Sequence, residues 1–236
     1  MIPLRPNEKR AKNAILLILI VLIVEIISIL SSYLQYNLLL SAQRGDYISE
    51  ESALGNDSRE MIVGIVYIIV FILSGITFIQ WFRRAYFNLH GKAPFLSYDE
   101  GWAAGSWFVP IINLFRPYQI MKELYVETKN VLERNGISLN SDLSTNHLGL
   151  WWTLWIISGI LGQIIFRLSR GAETLDQLIN LTLAGMIVGL IGIPLALVTI
   201  KVVKDYSKAE PLLNDAPDVD DDSVAAKRAE AKKLFS

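Results

Sequence analysis

Four long apolar runs, separated by polar segments, dominate the pattern of the chain. They cover about 14–36, 61–82, 148–166 and 178–203. Runs of this length with few charges are typical of membrane spans, because about 20 helical residues at roughly 1.5 Å each cross a hydrocarbon core of about 30 Å. Backbone groups in lipid must be satisfied within their own segment, so the spans are helices. We therefore predict an all-α, polytopic membrane protein with four transmembrane helices.

Composition supports this class. The chain has 236 residues, of which 52% are hydrophobic and 19% are charged. The charged share lies below the roughly 25% of an ordinary soluble domain. These values argue against a soluble globular enzyme, a disordered chain and a secreted disulfide scaffold. The chain has no cysteine, which excludes disulfides, thiolate nucleophiles and cysteine metal sites.

The polar segments divide the chain further. A basic leader covers 1–13, and the membrane domain covers 14–203. The first apolar run is longer than the roughly 7–15 apolar residues of a signal peptide, so we expect an uncleaved signal anchor. Within the membrane domain, 97–135 is predicted to be a cytoplasmic interfacial or re-entrant helical segment. An acidic, proline-containing composition predicts that the tail, 204–236, is solvated and mobile.

The positions of lysine and arginine predict the orientation. With four spans and both termini inside, 18 of the 22 basic residues lie on the cytoplasmic side, as the positive-inside rule requires. If Gly101–Phe115 crossed as a fifth span, nine would lie inside and 13 outside. That stretch reaches only about 22 Å as a helix. We therefore predict a multi-pass protein of the inner (cytoplasmic) cell membrane with both termini cytoplasmic.

The long middle segment contains two predicted helices. Ser97 and Glu100 form a capping box, which predicts a helix start. Pro110 should kink or end that helix. Pro117 suits the first position of a second helix, about 118–135, which Gly136 should terminate. Helical spacing places an apolar face on the second helix, made of Ile120, Met121, Leu124, Tyr125, Thr128, Val131 and Leu132.

The same segment carries an unusual set of tryptophan, glycine, proline and asparagine residues. The set comprises Trp81, Arg84, Asn88, Gly101, Trp102, Gly105, Ser106, Trp107, Phe108, Pro110, Asn113, Leu114, Pro117, Met121 and Glu123. It resembles the core of a family of bacterial membrane proteins, domain of unknown function 4328 (DUF4328). The resemblance implies a multi-span membrane protein. Because the family has no assigned activity, the resemblance transfers no catalytic residues.

Three roles are open for this segment. As an interfacial anchor, Trp102 and Trp107 would sit at the headgroup level, and Asn113 would satisfy backbone groups freed by the prolines. As a re-entrant broken helix, the freed carbonyls and Asn113 would line a polar cavity, as in transporters. The third alternative is a groove for a helix of another protein. The interfacial anchor is our leading interpretation.

Glu25 is the single charge inside the first span. A carboxylate at mid-membrane costs roughly 2.5–3.5 kcal/mol on insertion scales, so it should face protein or water. It is either an ion or proton site or a partner in an interhelical hydrogen bond, for instance with Gln163, Gln80 or Ser28. We favour the hydrogen bond, since a lone carboxylate makes a poor relay. Gly185 and Gly189 should give the fourth span a smooth packing face.

Catalytic signatures are absent from the sequence. The two histidines, His90 and His147, are far apart and form no HExxH pattern, and there is no GxxxxGK loop or GxSxG elbow. We therefore expect no enzymatic activity, no metal and no cofactor. The expected partners are the lipid bilayer and a possible protein partner or second copy, with no nucleic acid.

Two functional hypotheses follow. The first is a non-enzymatic membrane component that binds protein or lipid through Trp102–Tyr125. The second is a small transporter or channel accessory with Glu25 and Asn113 in a polar pathway. The candidate functional residues are Glu25, Arg84, Asn88, Trp102, Trp107, Pro110, Asn113 and Pro117.

Overall fold

The computed structural model describes residues 4–93, 95–138 and 143–218. These residues form helices and connecting turns, and no strand occurs among them. Two 3₁₀ turns cover Ile112–Leu114 and Glu210–Asp215. The α-helices are α1 (Glu8–Gln43), α2 (Glu50–His90), α3 (Trp102–Gly105), α4 (Arg116–Arg134), α5 (Asn146–Ser169) and α6 (Leu175–Ala209).

The four predicted spans are confirmed as four helices that are long and apolar enough to cross a membrane. All four helices extend beyond the apolar runs, and α1 and α2 contain 36 and 41 residues. Within the most apolar window of each helix, only 11–17% of the residues are buried inside the protein. Such extensive exposed apolar surface is unfavourable in water and suits a lipid environment.

The chain divides into two compact units. The spanning unit consists of Asn13–Ile76 and Gly149–Lys201. The flanking unit consists of the described residues within Met1–Lys12, Thr77–Leu148 and Val202–Ser236. The middle segment between the second and third spans, 77–148, thus belongs to the same unit as the described ends of the chain.

Two helices end at glycines with a left-handed backbone. Gly45, after α1, has φ 83°, and Gly136, after α4, has φ 68°. After α4 the Gly136 amide bonds to the carbonyl of Glu133, and the Ile137 amide bonds to that of Leu132. This is a Schellman motif, in which the left-handed residue is usually glycine because it has no Cβ. The predicted stop at Gly136 is confirmed.

The stretch considered as a fifth span is not a continuous helix. It contains the four-residue α3 and a three-residue 3₁₀ turn, so it cannot cross a bilayer as a helix. The predicted capping box is also wrong. Gly101 precedes α3, and no side chain caps that helix. The Ser97 amide instead donates to the Glu123 carboxylate at 2.7 Å, and the Glu100 carboxylate pairs with Arg83 at 3.6 Å.

The core of the flanking unit is built from three helices. The predicted apolar face of α4 is confirmed, because all seven of its residues are buried. Trp81 of α2 and Tyr206 of α6 are fully buried, with ring centroids 6.1 Å apart. The Tyr125 ring of α4 lies 5.8 Å from that of Tyr206. These aromatic contacts join the three helices within the unit.

The prediction of a solvated tail is wrong for 204–218. Helix α6 continues to Ala209 and is followed by the 3₁₀ turn. Glu210 and Leu213 are buried. The Lys92 ammonium, whose side chain is 1% exposed, lies 2.7 Å from the Asp218 carboxylate. Burial of these groups holds the first part of the tail against the flanking unit, and 219–236 lies outside the described residues.

Candidate functional site

The stretch 102–115, which we call the Trp/Pro segment, presents an apolar edge. Phe108 and Ile111 are 75% and 74% exposed, and Leu114 is 50% exposed. Trp102 and Phe115 are less exposed, at 37% and 39%. Large apolar side chains with this exposure, concentrated on one short segment, mark a surface for lipid or for another molecule.

The opposite side of the segment fixes it to the flanking unit. Ala103 and Ser106 are fully buried. The half-buried Trp107 meets the Phe78 ring edge-on, with centroids 5.7 Å apart. Trp107 is thus part of the base that positions the segment, whereas Trp102 and Phe108 lie on its exposed side. The sequence analysis placed both tryptophans at the headgroup level. In the structure they have different surroundings, because Trp107 packs against Phe78 and Trp102 is exposed.

Pro110 introduces a tight turn. The Ile112 amide bonds to the Pro110 carbonyl at 2.8 Å, and Ile111 between them has φ 67° and ψ −50°. These angles are close to those of a γ-turn with positive φ, which is rare and strained. A β-branched residue in this region is an outlier. The turn directs the Ile111 side chain away from the protein.

Asn113 does not satisfy the backbone around the prolines. The Asn113 amide bonds to the Val109 carbonyl, and the Leu114 amide bonds to the Ile111 carbonyl. The local backbone therefore satisfies its own groups. The Asn113 side chain is half-buried and makes no hydrogen bond with the described residues. That observation removes the capping role proposed for it.

Arg116 directly follows the Trp/Pro segment and is the first residue of α4. Its guanidinium lies 4.3 Å from the centroid of the Tyr98 ring, 5.9 Å from that of Trp102 and 5.7 Å from that of Phe115. Pro117 is buried at the first turn of α4, as predicted. Cation–π contacts of this kind stabilise an arginine beside aromatic rings. They also hold the charge next to the apolar edge.

A buried carboxylate links three parts of the flanking unit. Glu210, 5% exposed, accepts a 2.7 Å hydrogen bond from the Asn88 amide group and a 2.9 Å bond from that of Asn7. Asn88 also donates to the Arg5 carbonyl at 2.9 Å. Buried carboxylates need such donors. Asn88, a candidate from the family pattern, is therefore a structural link, and Asn7 and Glu210 were not predicted.

Polar side chains also fix α4. Glu123 accepts hydrogen bonds from the Tyr86 hydroxyl at 2.5 Å and the Ser97 amide at 2.7 Å. The Tyr125 hydroxyl donates to the Val202 carbonyl at 2.7 Å. Burial, with a smaller contribution from Asp205, raises the pKa of Tyr125 well above its ordinary value. The hydroxyl therefore remains protonated and can donate throughout the physiological pH range.

Arginines gather in a cavity of about 310 Å³ within the flanking unit. Arg84, the second candidate from the family pattern, lies among them and is half-buried. Burial lowers the pKa of Arg84 below its ordinary value, and the neighbouring arginines lower it further, which Glu210 partly offsets. Within the described part of the chain, Arg84 makes no ion pair. The lining residues are Arg5, Arg10, Gln80, Arg83, Arg84, Phe87 and Glu100.

In the spanning unit, Glu25 accepts a hydrogen bond from Tyr67, a partner that the sequence analysis did not name. The carboxylate packs against the glycines of α6. A Cβ added at Gly189 would lie 2.7 Å from Glu25 Oε1, and one at Gly192 would lie 3.2 Å from Glu25 Cδ. Gly189 of the predicted glycine face, together with Gly192, thus provides the space that Glu25 occupies, whereas a Cβ at Gly185 would meet nothing within 4 Å.

The histidines lie in separate environments. The His90 ring packs edge-on against Tyr86, and His147 Nε2 lies 3.7 Å from the Asp205 carboxylate. Among residues 4–93, 95–138 and 143–218, no group of three or more histidine, aspartate or glutamate side chains is arranged to hold a metal ion.

A family model decides the relationship of the chain to other proteins. The model of a domain of unknown function, DUF4328, matches residues 44–208, which is more than half of the sequence. The chain belongs to the DUF4328 family. Neither the comparison with curated proteins nor that with solved structures finds a match. The match includes the Trp/Pro segment, Arg84 and Asn88, so the DUF4328 region contains most of the candidate residues.

Proposed function

We propose that this DUF4328 protein is a non-enzymatic membrane component that binds the lipid bilayer through the Trp/Pro segment. The single observation that carries the proposal is the apolar edge, where Phe108 and Ile111 are about three-quarters exposed. The earlier hypothesis extended the binding stretch to Tyr125. Because Tyr125 and the rest of the apolar face of α4 are buried, the proposal is limited to 102–115.

Two features favour lipid as the partner. The exposed aromatic and aliphatic side chains of the segment are followed directly by Arg116, whose stem can extend along apolar surface while its charge stays near water. Tryptophan and arginine placed in this way are typical of the membrane–water interface.

We further propose that the protein lies in the inner membrane with both termini cytoplasmic, because that orientation places most lysine and arginine residues inside.

The test is a fluorescent probe on an otherwise cysteine-free chain. Phe108→Cys, labelled with an environment-sensitive dye and reconstituted in vesicles, should emit at shorter wavelength than the same dye in water. Its emission should be quenched by nitroxide-bearing lipid. Lys122→Cys is the matched control, because Lys122 is an exposed position on the neighbouring helix α4. The Lys122 dye should respond to a water-soluble quencher.

Photo-crosslinking at Phe108 in cells separates lipid from protein as the partner. Adducts with lipid support the proposal. A discrete protein adduct, together with no lipid quenching of the Phe108 dye, would overturn it in favour of a protein-binding segment. The transporter alternative is not proposed, because close packing of Glu25 against Gly189 favours a role in helix association.

A further inference from the structure

The arginine-lined cavity combines a strong charge with open space. Four of its seven lining residues are arginines, and Glu100 is the single acid among them. Glu100 engages only one of the four, Arg83, at a distance of 3.6 Å. Like charges that line one cavity repel one another, and the repulsion is relieved when an anion enters. Among the lining residues, one carboxylate therefore faces four positively charged side chains.

Several contacts hold these arginines in place. The Arg5 guanidinium stacks over the Phe87 ring at 3.9 Å. Its backbone amide donates to Asn88 at 3.0 Å, which is itself bonded to Glu210. Arg10 Nη1 donates to the Pro6 carbonyl at 3.1 Å. Because these contacts restrain the Arg5 and Arg10 side chains, little conformational freedom is lost when their remaining N–H groups bind a ligand.

The position of the cavity along the helices indicates the source of the anion. Arg10 lies about one helical turn before the first apolar run, and Arg83 and Arg84 directly follow the second. Basic residues that flank spans in this way lie at the level of lipid phosphates. Arginine is also the residue that best matches phosphate geometry, because its planar fork donates two parallel hydrogen bonds.

We propose that this cavity, lined by Arg5, Arg10, Arg83 and Arg84, binds a phosphate-type oxyanion, with the headgroup of an anionic phospholipid as the first source and free phosphate as the second. This inference goes beyond the proposed function, because the cavity shares no residue with the Trp/Pro segment. Insertion of that segment into lipid is not needed for the cavity to bind its ligand.

The test measures lipid binding by native mass spectrometry of the full chain in mixed micelles. Phosphatidylglycerol should be retained in preference to phosphatidylcholine. Arg84→Gln should weaken that retention about tenfold, since one charge-assisted, bidentate contact is lost. Arg134→Gln is the control, because Arg134 is exposed at the end of α4 and lies away from the cavity lining. It should leave lipid retention unchanged.

A gain-of-binding variant keeps the test decisive if Arg84→Gln does not fold. Glu100→Gln removes the competing carboxylate and frees Arg83, so it should strengthen phosphatidylglycerol retention.

A second arm adds inorganic phosphate to the delipidated protein and follows thermal unfolding. Stabilisation that depends on Arg84, without lipid preference, supports the same site with soluble phosphate as its ligand. Binding of both probes that is insensitive to Arg84 and Glu100, or no binding, overturns the proposal.

Discussion

The amide group of Asn88 donates a 2.7 Å hydrogen bond to the carboxylate of Glu210, although 122 residues separate the two in sequence. Both residues are buried, at 3% and 5% exposure. Asn88→Ala removes one hydrogen-bond donor from this buried carboxylate. We expect the free energy of unfolding to fall by about 2 kcal/mol, measured as a lower thermal midpoint in detergent.

The matched control for that prediction is Asn130→Ala. The Asn130 side chain is half-buried and donates to Glu127 one helical turn away, at 3.1 Å. Its replacement should change stability by less than about 0.5 kcal/mol. Equal effects of the two substitutions would show that the Asn88–Glu210 bond has no special weight.

Strain at Ile111 gives a second prediction. Because its φ is 67°, Ile111→Gly should relieve roughly 1–2 kcal/mol of backbone strain. The greater conformational entropy of glycine in the unfolded chain should offset about half of that gain. We expect a slightly higher thermal midpoint. Ile112→Gly, at the next residue, should lower the midpoint. The same loss at both positions would argue against a strained turn.

The glycine face of α6 gives a third prediction. Gly189→Ala places a Cβ 2.7 Å from Glu25 Oε1 and 2.9 Å from Ile29 Cγ1. Overpacking of this kind typically costs about 1–3 kcal/mol, so the thermal midpoint should fall clearly. Gly185→Ala, one turn earlier, meets nothing within 4 Å and should be tolerated. If both variants were equally stable, Glu25 would not pack as described.

The orientation gives a fourth prediction. A cysteine at Lys129, whose side chain is 47% exposed, should react with a membrane-impermeant maleimide only after cells are permeabilised. Tyr47→Cys is the companion variant, because Tyr47 is 92% exposed and lies in the loop predicted to face outside. It should be labelled in intact cells. Labelling of Lys129→Cys in intact cells would reverse the orientation or require another topology.

The local sequence pattern correctly predicted those structural features that depend on residues close together in sequence. The four spans follow from apolar length, and the buried face of α4 follows from helical spacing. Gly136 ends α4 because its backbone allows a left-handed residue. Each of these features is decided within one helix or one turn, so periodicity and residue type were sufficient.

Features that depend on distant partners were missed. Ser97 and Glu100 fit a capping box, but Glu123 binds the Ser97 amide and Arg83 binds Glu100. The composition of the tail indicated a solvated segment, yet Glu210 is buried because Asn7 and Asn88 supply its hydrogen bonds. The arginine cavity could not be predicted either, since residues 5–10 and 80–87 meet only in the folded chain.

The bond between Asn7 and Glu210 has a consequence for biosynthesis. The two residues are 203 positions apart in sequence. At a translation rate of about 5–20 residues per second, at least about ten seconds separate their synthesis. In that interval α2 is completed, while the carboxylate that accepts hydrogen bonds from both Asn7 and Asn88 has not yet been made. The bonds of Asn7 and Asn88 to Glu210 therefore form late, and a chain truncated before residue 210 should hold its leader to α2 only through direct bonds such as that from Asn88 to the Arg5 carbonyl.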